Sequence, residues 1–260
     1  MKRRILIFTF LALYFNFTYA QGKEVSDKNW HVRISPYFWF IGFEGTVYRP
    51  PVPTILPEPP PSYEFDLSFK EISKSIKYAM MLAGEYRAKN IISIFHYTGL
   101  ILEGDAITPI DLILQNTHLR LSYHSGDLSV GYRFVKTNKW EVDGLAGFKF
   151  IFFSIEGKSN LAGMVPIKGN RSESWADPIF GARIIYSPIK KLEFMVYGDV
   201  GGFLIGPELN NQFIGGISYF FSNTFFTSLG YRHWHLKVDE TEAIYNGKVK
   251  GWLVRIGFQF

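Results

Sequence analysis

The chain reads as an all-β protein: a single transmembrane antiparallel up-and-down β-barrel of about ten strands, with eight as the alternative count. Three observations predict this. The final segment, Trp252 to Phe260, alternates strictly between two faces. Trp252, Val254, Ile256, Phe258 and Phe260 share one face, and Leu253, Arg255, Gly257 and Gln259 the other, the period of a strand with two different surroundings. Aromatic residues make up 18% of the chain, with 25 Phe and 15 Tyr, well above a soluble domain and in keeping with the aromatic girdles of membrane barrels. Beyond the first twenty residues no apolar run is long enough for a membrane helix.

The N-terminus reads as a signal peptide over residues 1–20, leaving 21–260 as the barrel. Lys2, Arg3 and Arg4 form a basic start, Ile5 to Phe17 an apolar core, and Thr18-Tyr19-Ala20 a small-residue cleavage site before Gln21. No Cys follows the site, which excludes lipoprotein anchoring. An exported chain without cysteines uses no disulfides and holds no thiolate metal site or Cys nucleophile. The net charge of +5 includes the three basic residues of the signal peptide. The mature chain is therefore near neutral, and nucleic acid is not an expected partner.

Strand-like segments follow near residues 30–46, 74–87, 91–104, 113–135, 140–156, 174–187, 191–205, 211–221, 224–238 and 249–260. Tight connections at 87–90, 136–139, 187–190 and 221–224 alternate with longer ones, the barrel arrangement of periplasmic turns and external loops. An even strand number places both termini on the periplasmic side. Between the first two strands, residues 49–62 carry Pro50, Pro51, Pro53, Pro57, Pro59, Pro60 and Pro61. Such a stretch cannot pair as a central strand, so it is assigned to an extended first external loop. In the fourth strand the alternation changes phase between Tyr123 and Leu128, which predicts a bulge near Gly126. Large aromatics on nearly every strand favour lipid over a soluble sandwich, although alternation alone fits both.

The charged faces point to chemistry inside the barrel. Predicted inward residues are Arg33, Lys77, Glu85, Arg120, Arg133, Asp143, Lys149, Asp177, Arg183, Glu193, Asp199, Arg232 and Arg255. A narrow barrel is largely filled by side chains, and charges within it must pair. The candidate lumen network is Asp143, Lys149, Asp177, Arg183, Asp199, Arg232 and Arg255. Asp177 and Asp199 are the expected partners of Arg183 and Arg232. The paired Gly201-Gly202 predicts a bend or the close approach of a neighbouring side chain. The alternative use of these charges is a selective pore.

Three motifs carry a resemblance. Trp175-Ala176-Asp177-Pro178 with Gly181 and Arg183, then Gly198-Asp199-Val200-Gly201-Gly202-Phe203, then Gly230-Tyr231-Arg232, together resemble an uncharacterised family of exported bacterial outer-membrane barrels. The resemblance covers roughly the C-terminal half and implies an outer-membrane barrel, without an activity. The Phe258-Gln259-Phe260 ending resembles the signal by which such barrels are recognised for insertion. Phe258 and Phe260 are thus the candidate assembly signal. Outer-membrane lipid and the barrel-assembly machinery are the expected partners, with any solute unidentified.

An enzyme reading, as a lipid-modifying hydrolase, would use His124-Ser125 or His233-Trp234-His235. Adjacent His and Ser on a strand point to opposite faces and make no nucleophile–base pair unless a bulge intervenes. His233 and His235 share a face, but the sequence fixes no third metal ligand. No cofactor, catalytic residue or metal ligand is assigned.

Overall fold

The computed structural model describes residues 30–48, 62–105, 114–161, 165–203, 207–240 and 243–260. The signal peptide expected over 1–20 lies outside the described residues, as does the proline-rich stretch except its last residue.

Ten strands close a barrel: β1 (Trp30–Trp39), β4 (Ile76–Ala88), β5 (Ile91–Asp105), β6 (Leu114–Lys136), β7 (Trp140–Leu161), β8 (Val165–Ile189), β9 (Leu192–Gly201), β10 (Leu209–Phe220), β11 (Phe225–Glu240) and β12 (Ala243–Gln259). Each pairs antiparallel with the next, and β1 pairs with β12 to close the ring. Closure matters energetically because a lipid-exposed edge strand would leave backbone groups unpaired. At the seam Val32 and Phe260 exchange both backbone hydrogen bonds, at 3.2 and 2.9 Å.

The alternation predicted for β12 is present. Ile256 is 51% exposed on the outside and Leu253 only 2% exposed inside. The same polarity runs round the barrel. Phe148, Phe180, Val196, Val200 and Leu229 are exposed outside, while Asp143, Lys149, Asp177, Arg183 and Asp199 are buried inside. This inverts a soluble barrel. A continuous apolar exterior around a charged interior is stable only against lipid. Aromatic pairs such as Trp140–Tyr186, with ring centroids 4.4 Å apart, and Phe225–Phe258 at 5.6 Å gird the end that carries the short turns. Tyr231–Trp252 at 5.5 Å lies towards the other end. No helix among the described residues is long and apolar enough to cross a membrane.

The short turns alternate with longer connections as expected. Between β4 and β5, Lys89 takes the left-handed conformation, φ 53°, which tightens a two-residue loop. At the opposite end β6, β7 and β8 run 23, 22 and 25 residues. A membrane strand needs about 9–11 residues, so these three project well beyond the bilayer.

The bulge expected near Gly126 is absent. β6 pairs in unbroken register with β5 from Asp105↔His118 to Ile91↔Tyr132. The apparent phase change has another cause. Tyr123 faces inward, 6.1 Å from Trp234, because the lumen is apolar at that level. The composition of the lumen changes along its axis, and the direction of the strand does not. Arg120 consequently sits on the outer face, opposite Glu103 of β5 and Glu156 of β7, and not in the lumen. Lys77 is also outside, 3.7 Å from Glu103. A register shift between Ile76 and Tyr78 re-aims it.

The first predicted strand, 30–46, forms as β1 continued by β2 (Gly42–Tyr48), both in one register along β12. Phe40 N–H bridges the break to Trp252 O at 2.8 Å. The continued strand changes partners on its other side. Pairing with β4 stops at Pro36↔Leu82, and from Phe43 onward β2 pairs with β3 (Ser62–Leu67). Pro36 has no N–H, but position 36, like Val32 and Phe40, directs its backbone towards β12, where the register skips from Ile34↔Phe258 to Tyr37↔Arg255. A short helix, α1 (Phe69–Ile72), and a 3₁₀ turn (Ser73–Ser75) fill the resulting notch. Ile72 is buried in the core and Phe69 packs edge-on to Phe40 at 5.0 Å. Trp39 N–H, left without a β4 carbonyl, donates to Met81 Sδ at 3.2 Å. Ser68 starts the helix, with its N–H and Oγ–H donating to the Glu71 carboxylate at 2.8 and 2.6 Å.

Candidate functional site: the charged lumen

Inward positions of successive strands stack into layers. Towards the short-turn end, Arg33 of β1 reaches across to Glu193 of β9 with two bonds of 2.9 and 3.0 Å. Its guanidinium lies 5.2 Å from the Phe220 ring and 5.7 Å from Phe226, a floor of paired charge over aromatics.

Nearby, six residues from four strands form a closed ring. Arg87 bonds Glu85 and reaches Glu141 at 2.8 Å. Glu141 lies 3.1 Å from Arg133, and Arg133 donates to Asp143 at 3.1 Å. Asp143 accepts two bonds from Arg183, at 2.9 and 2.7 Å. Arg183 completes the circuit by bonding Glu85. Each carboxylate therefore contacts two guanidinium groups, and three positive charges meet three negative ones. A network of this kind offsets the desolvation cost that an isolated buried pair would not.

Higher in the lumen the partners are mixed. Lys149, among the most buried side chains at 1% exposure, donates to Asp199 at 3.2 Å and Asn210 at 3.4 Å. Gln212 donates to the second Asp199 oxygen at 2.8 Å. Asp177, the register partner of Lys149, accepts from Asn210 at 2.6 Å and from Gly202 N–H at 2.9 Å. Trp234 Nε1–H donates to Asn210 at 2.7 Å. Arg232 lies over the Trp39 ring, 4.5 Å from its centre, with Asp127 at 3.7 Å. Above this an apolar plug of Trp39, Ile41, Ile72, Met81, Leu100, Trp234 and Val249 fills the barrel.

The close approach anticipated at Gly201-Gly202 is made by Asp177. A Cβ at Gly201 would sit 2.4 Å from Asp177 Oδ2. Gly202 adopts φ +95°, and a Cβ there would meet Glu208 O at 2.6 Å.

All seven candidate network residues face the lumen, but the expected pairing is not the one formed. Arg183 takes Asp143 and Glu85, and Arg232 takes Asp127. Asp199 takes Lys149, while Asp177 takes neutral donors. Adjacent strands are staggered, so facing positions in sequence are not facing positions in space. Arg87, Glu141 and Asp127 were missed. Each sits two residues from an assigned or small inward residue (Glu85, Asp143, Ser125), and that spacing was the available signal.

Candidate chemistry outside the lumen does not converge. Ser125 is buried inside while His124 faces out and bonds Tyr97 OH at 2.9 Å. His235 bonds Asn246 at 2.8 Å on the outer face. Among the described residues no group of three His, Cys, Asp or Glu is placed to hold a metal. Phe258 and Phe260 lie on the exposed outer face at the β1–β12 seam.

No family model and no curated relative matches the chain. Among solved structures it is similar to Ail of Yersinia pestis in complex with sucrose octasulfate, at 12% identity and TM-score 0.36, over 89% of this chain and 99% of that one. Neisserial surface protein A is similar at 12% identity and TM-score 0.32, over 89% and 97%. A Pseudomonas aeruginosa FadL homologue is similar at 7% identity and TM-score 0.35, over 90% of each. Likeness at this level carries no argument about role; the barrel is established by its own strand pairing.

Proposed function

We propose that this chain is an integral barrel of the bacterial outer membrane with a structural role. In this reading it belongs with the exported barrels its C-terminal motifs resemble, and the barrel-assembly machinery inserts it. The short-turn end faces the periplasm, and the projecting strands β6–β8 and the proline-rich loop face outward. The filled lumen carries the reading. An ion-pair ring and an apolar plug occupy the bore in series, which suits a rigid scaffold and opposes an open pore. Refolded protein in planar bilayers is expected to show no sustained single-channel conductance. A stable conducting level would replace the structural role with a transport one. Export predicts cleavage before Gln21, so mass spectrometry of membrane-extracted protein should find Gln21 as its first residue. An intact Met1 terminus would refute cleavage.

A further inference from the structure

One luminal cation lacks an acidic partner. Arg255 of β12 has no carboxylate within ion-pair distance among the described residues, and its buried Nε makes no hydrogen bond. Its guanidinium lies 5.8 Å from the centre of the Tyr37 ring. Arg255 lines a cavity of about 70 Å³ in the lower lumen, between the Arg33–Glu193 floor and the ion-pair ring. A single water needs roughly 10–15 Å³ of such space, so the cavity holds several water-sized bodies.

The charges around this cavity do not cancel. Arg33, Arg183 and Arg255 line it against Glu85 and Glu193. Both glutamates are already bound, Glu193 by Arg33 and Glu85 by Arg87 and Arg183. One positive charge is left over at Arg255. The compensating carboxylate, Asp177, lies further up the barrel on β8, held by Asn210 and the Gly202 amide. Neutral donors also face the space. Ser218 and Ser228 share one hydrogen bond at 2.8 Å, which leaves one hydroxyl proton of the pair free to donate.

We propose that this cavity is a binding site for a small monovalent inorganic anion of the halide class, held by Arg255 with a serine hydroxyl as second donor. A guanidinium held inside the barrel without a counter-charge is costly, and a halide with one or two waters fits the space and supplies that charge. The inference does not depend on whether the lumen conducts.

The test uses bromide as the probe. Crystals of the refolded full chain grown in sodium bromide should give an anomalous peak in the cavity beside the Arg255 guanidinium, lost in Arg255→Met. In detergent solution, replacing gluconate, too large for the cavity, with chloride at fixed ionic strength should raise the midpoint of heat-modifiable unfolding by a few degrees. The same exchange should leave Arg255→Met unmoved. Water density alone overturns the proposal, as does bromide found only on the exterior or a peak that survives Arg255→Met. A bromide peak with no chloride effect in solution is binding at crystal concentration only and overturns it too. Should Arg255→Met fail to fold, the wild-type map and the wild-type anion exchange decide between these outcomes.

Discussion

At the residue scale, stability turns on who shares whom. Asp143 is held by both Arg133 and Arg183 and is fully buried. Asp143→Ala leaves two guanidinium groups short of a partner, and breaking a buried pair typically costs roughly 3–5 kcal/mol. Urea unfolding in detergent micelles should show a loss of that size. Lys149 and Asp199 should couple: a double-mutant cycle of Lys149→Ala with Asp199→Ala is expected to depart from additivity by more than about 0.5 kcal/mol. Asp199→Ala with Arg183→Ala should come closer to additive, because those two residues share no bond. Equal coupling in both cycles would mean that the layers are not separate. Much of the inward set was legible from period two, since Asp143, Lys149, Asp177, Arg183 and Asp199 alternate with outward residues, but the same period puts Lys77 and Arg120 inside although the structure has them outside. The pairing was not legible. Contacts such as Arg183 to Glu85 cross the lumen from β8 to β4, and no spacing in the sequence encodes the stagger that brings them together.

At the element scale, the strand pattern was readable and the interruptions were not. β7, β9 and β12 follow their predicted alternation. β6 misled because Tyr123 is an apolar residue facing inward, and a hydrophobicity pattern cannot separate an apolar lumen from lipid. The α1 notch was also hidden. Four helical residues are too few to show a 3.6-residue period, and the place where β1 parts from β4, just after Pro36↔Leu82, carries no backbone signal of its own, because the missing Pro36 N–H lies on the β12 side. Ile72 is the anchor of this element. Ile72→Asp should destabilise by at least the roughly 2–5 kcal/mol of an Ile truncation in a core, while exposed Lys70→Ala should stay within about 0.5 kcal/mol. Similar thermal unfolding of the two variants would show that α1 does not seal the wall. The Glu71 carboxyl is held below its ordinary value by hydrogen bonds from the Ser68 side chain and then the Ser68 backbone. That contribution to the helix start is complete at neutral pH and fades only as pH falls through the lowered value.

At the scale of the whole molecule the polarity is inside-out: an apolar wall surrounds a lumen packed with paired charges and an apolar plug. The native tryptophans report on it. Trp140 and Trp252 are exposed on the outer wall, and Trp39 and Trp234 are buried in the lumen. Single-tryptophan variants retaining each in turn, refolded into bilayers with brominated acyl chains, separate the two surfaces directly. Strong quenching of Trp252 and Trp140, with Trp39 and Trp234 nearly unquenched, is the predicted result. Quenching of the luminal pair equal to that of the outer pair, or no quenching of Trp252 and Trp140, would contradict the barrel's placement in the membrane.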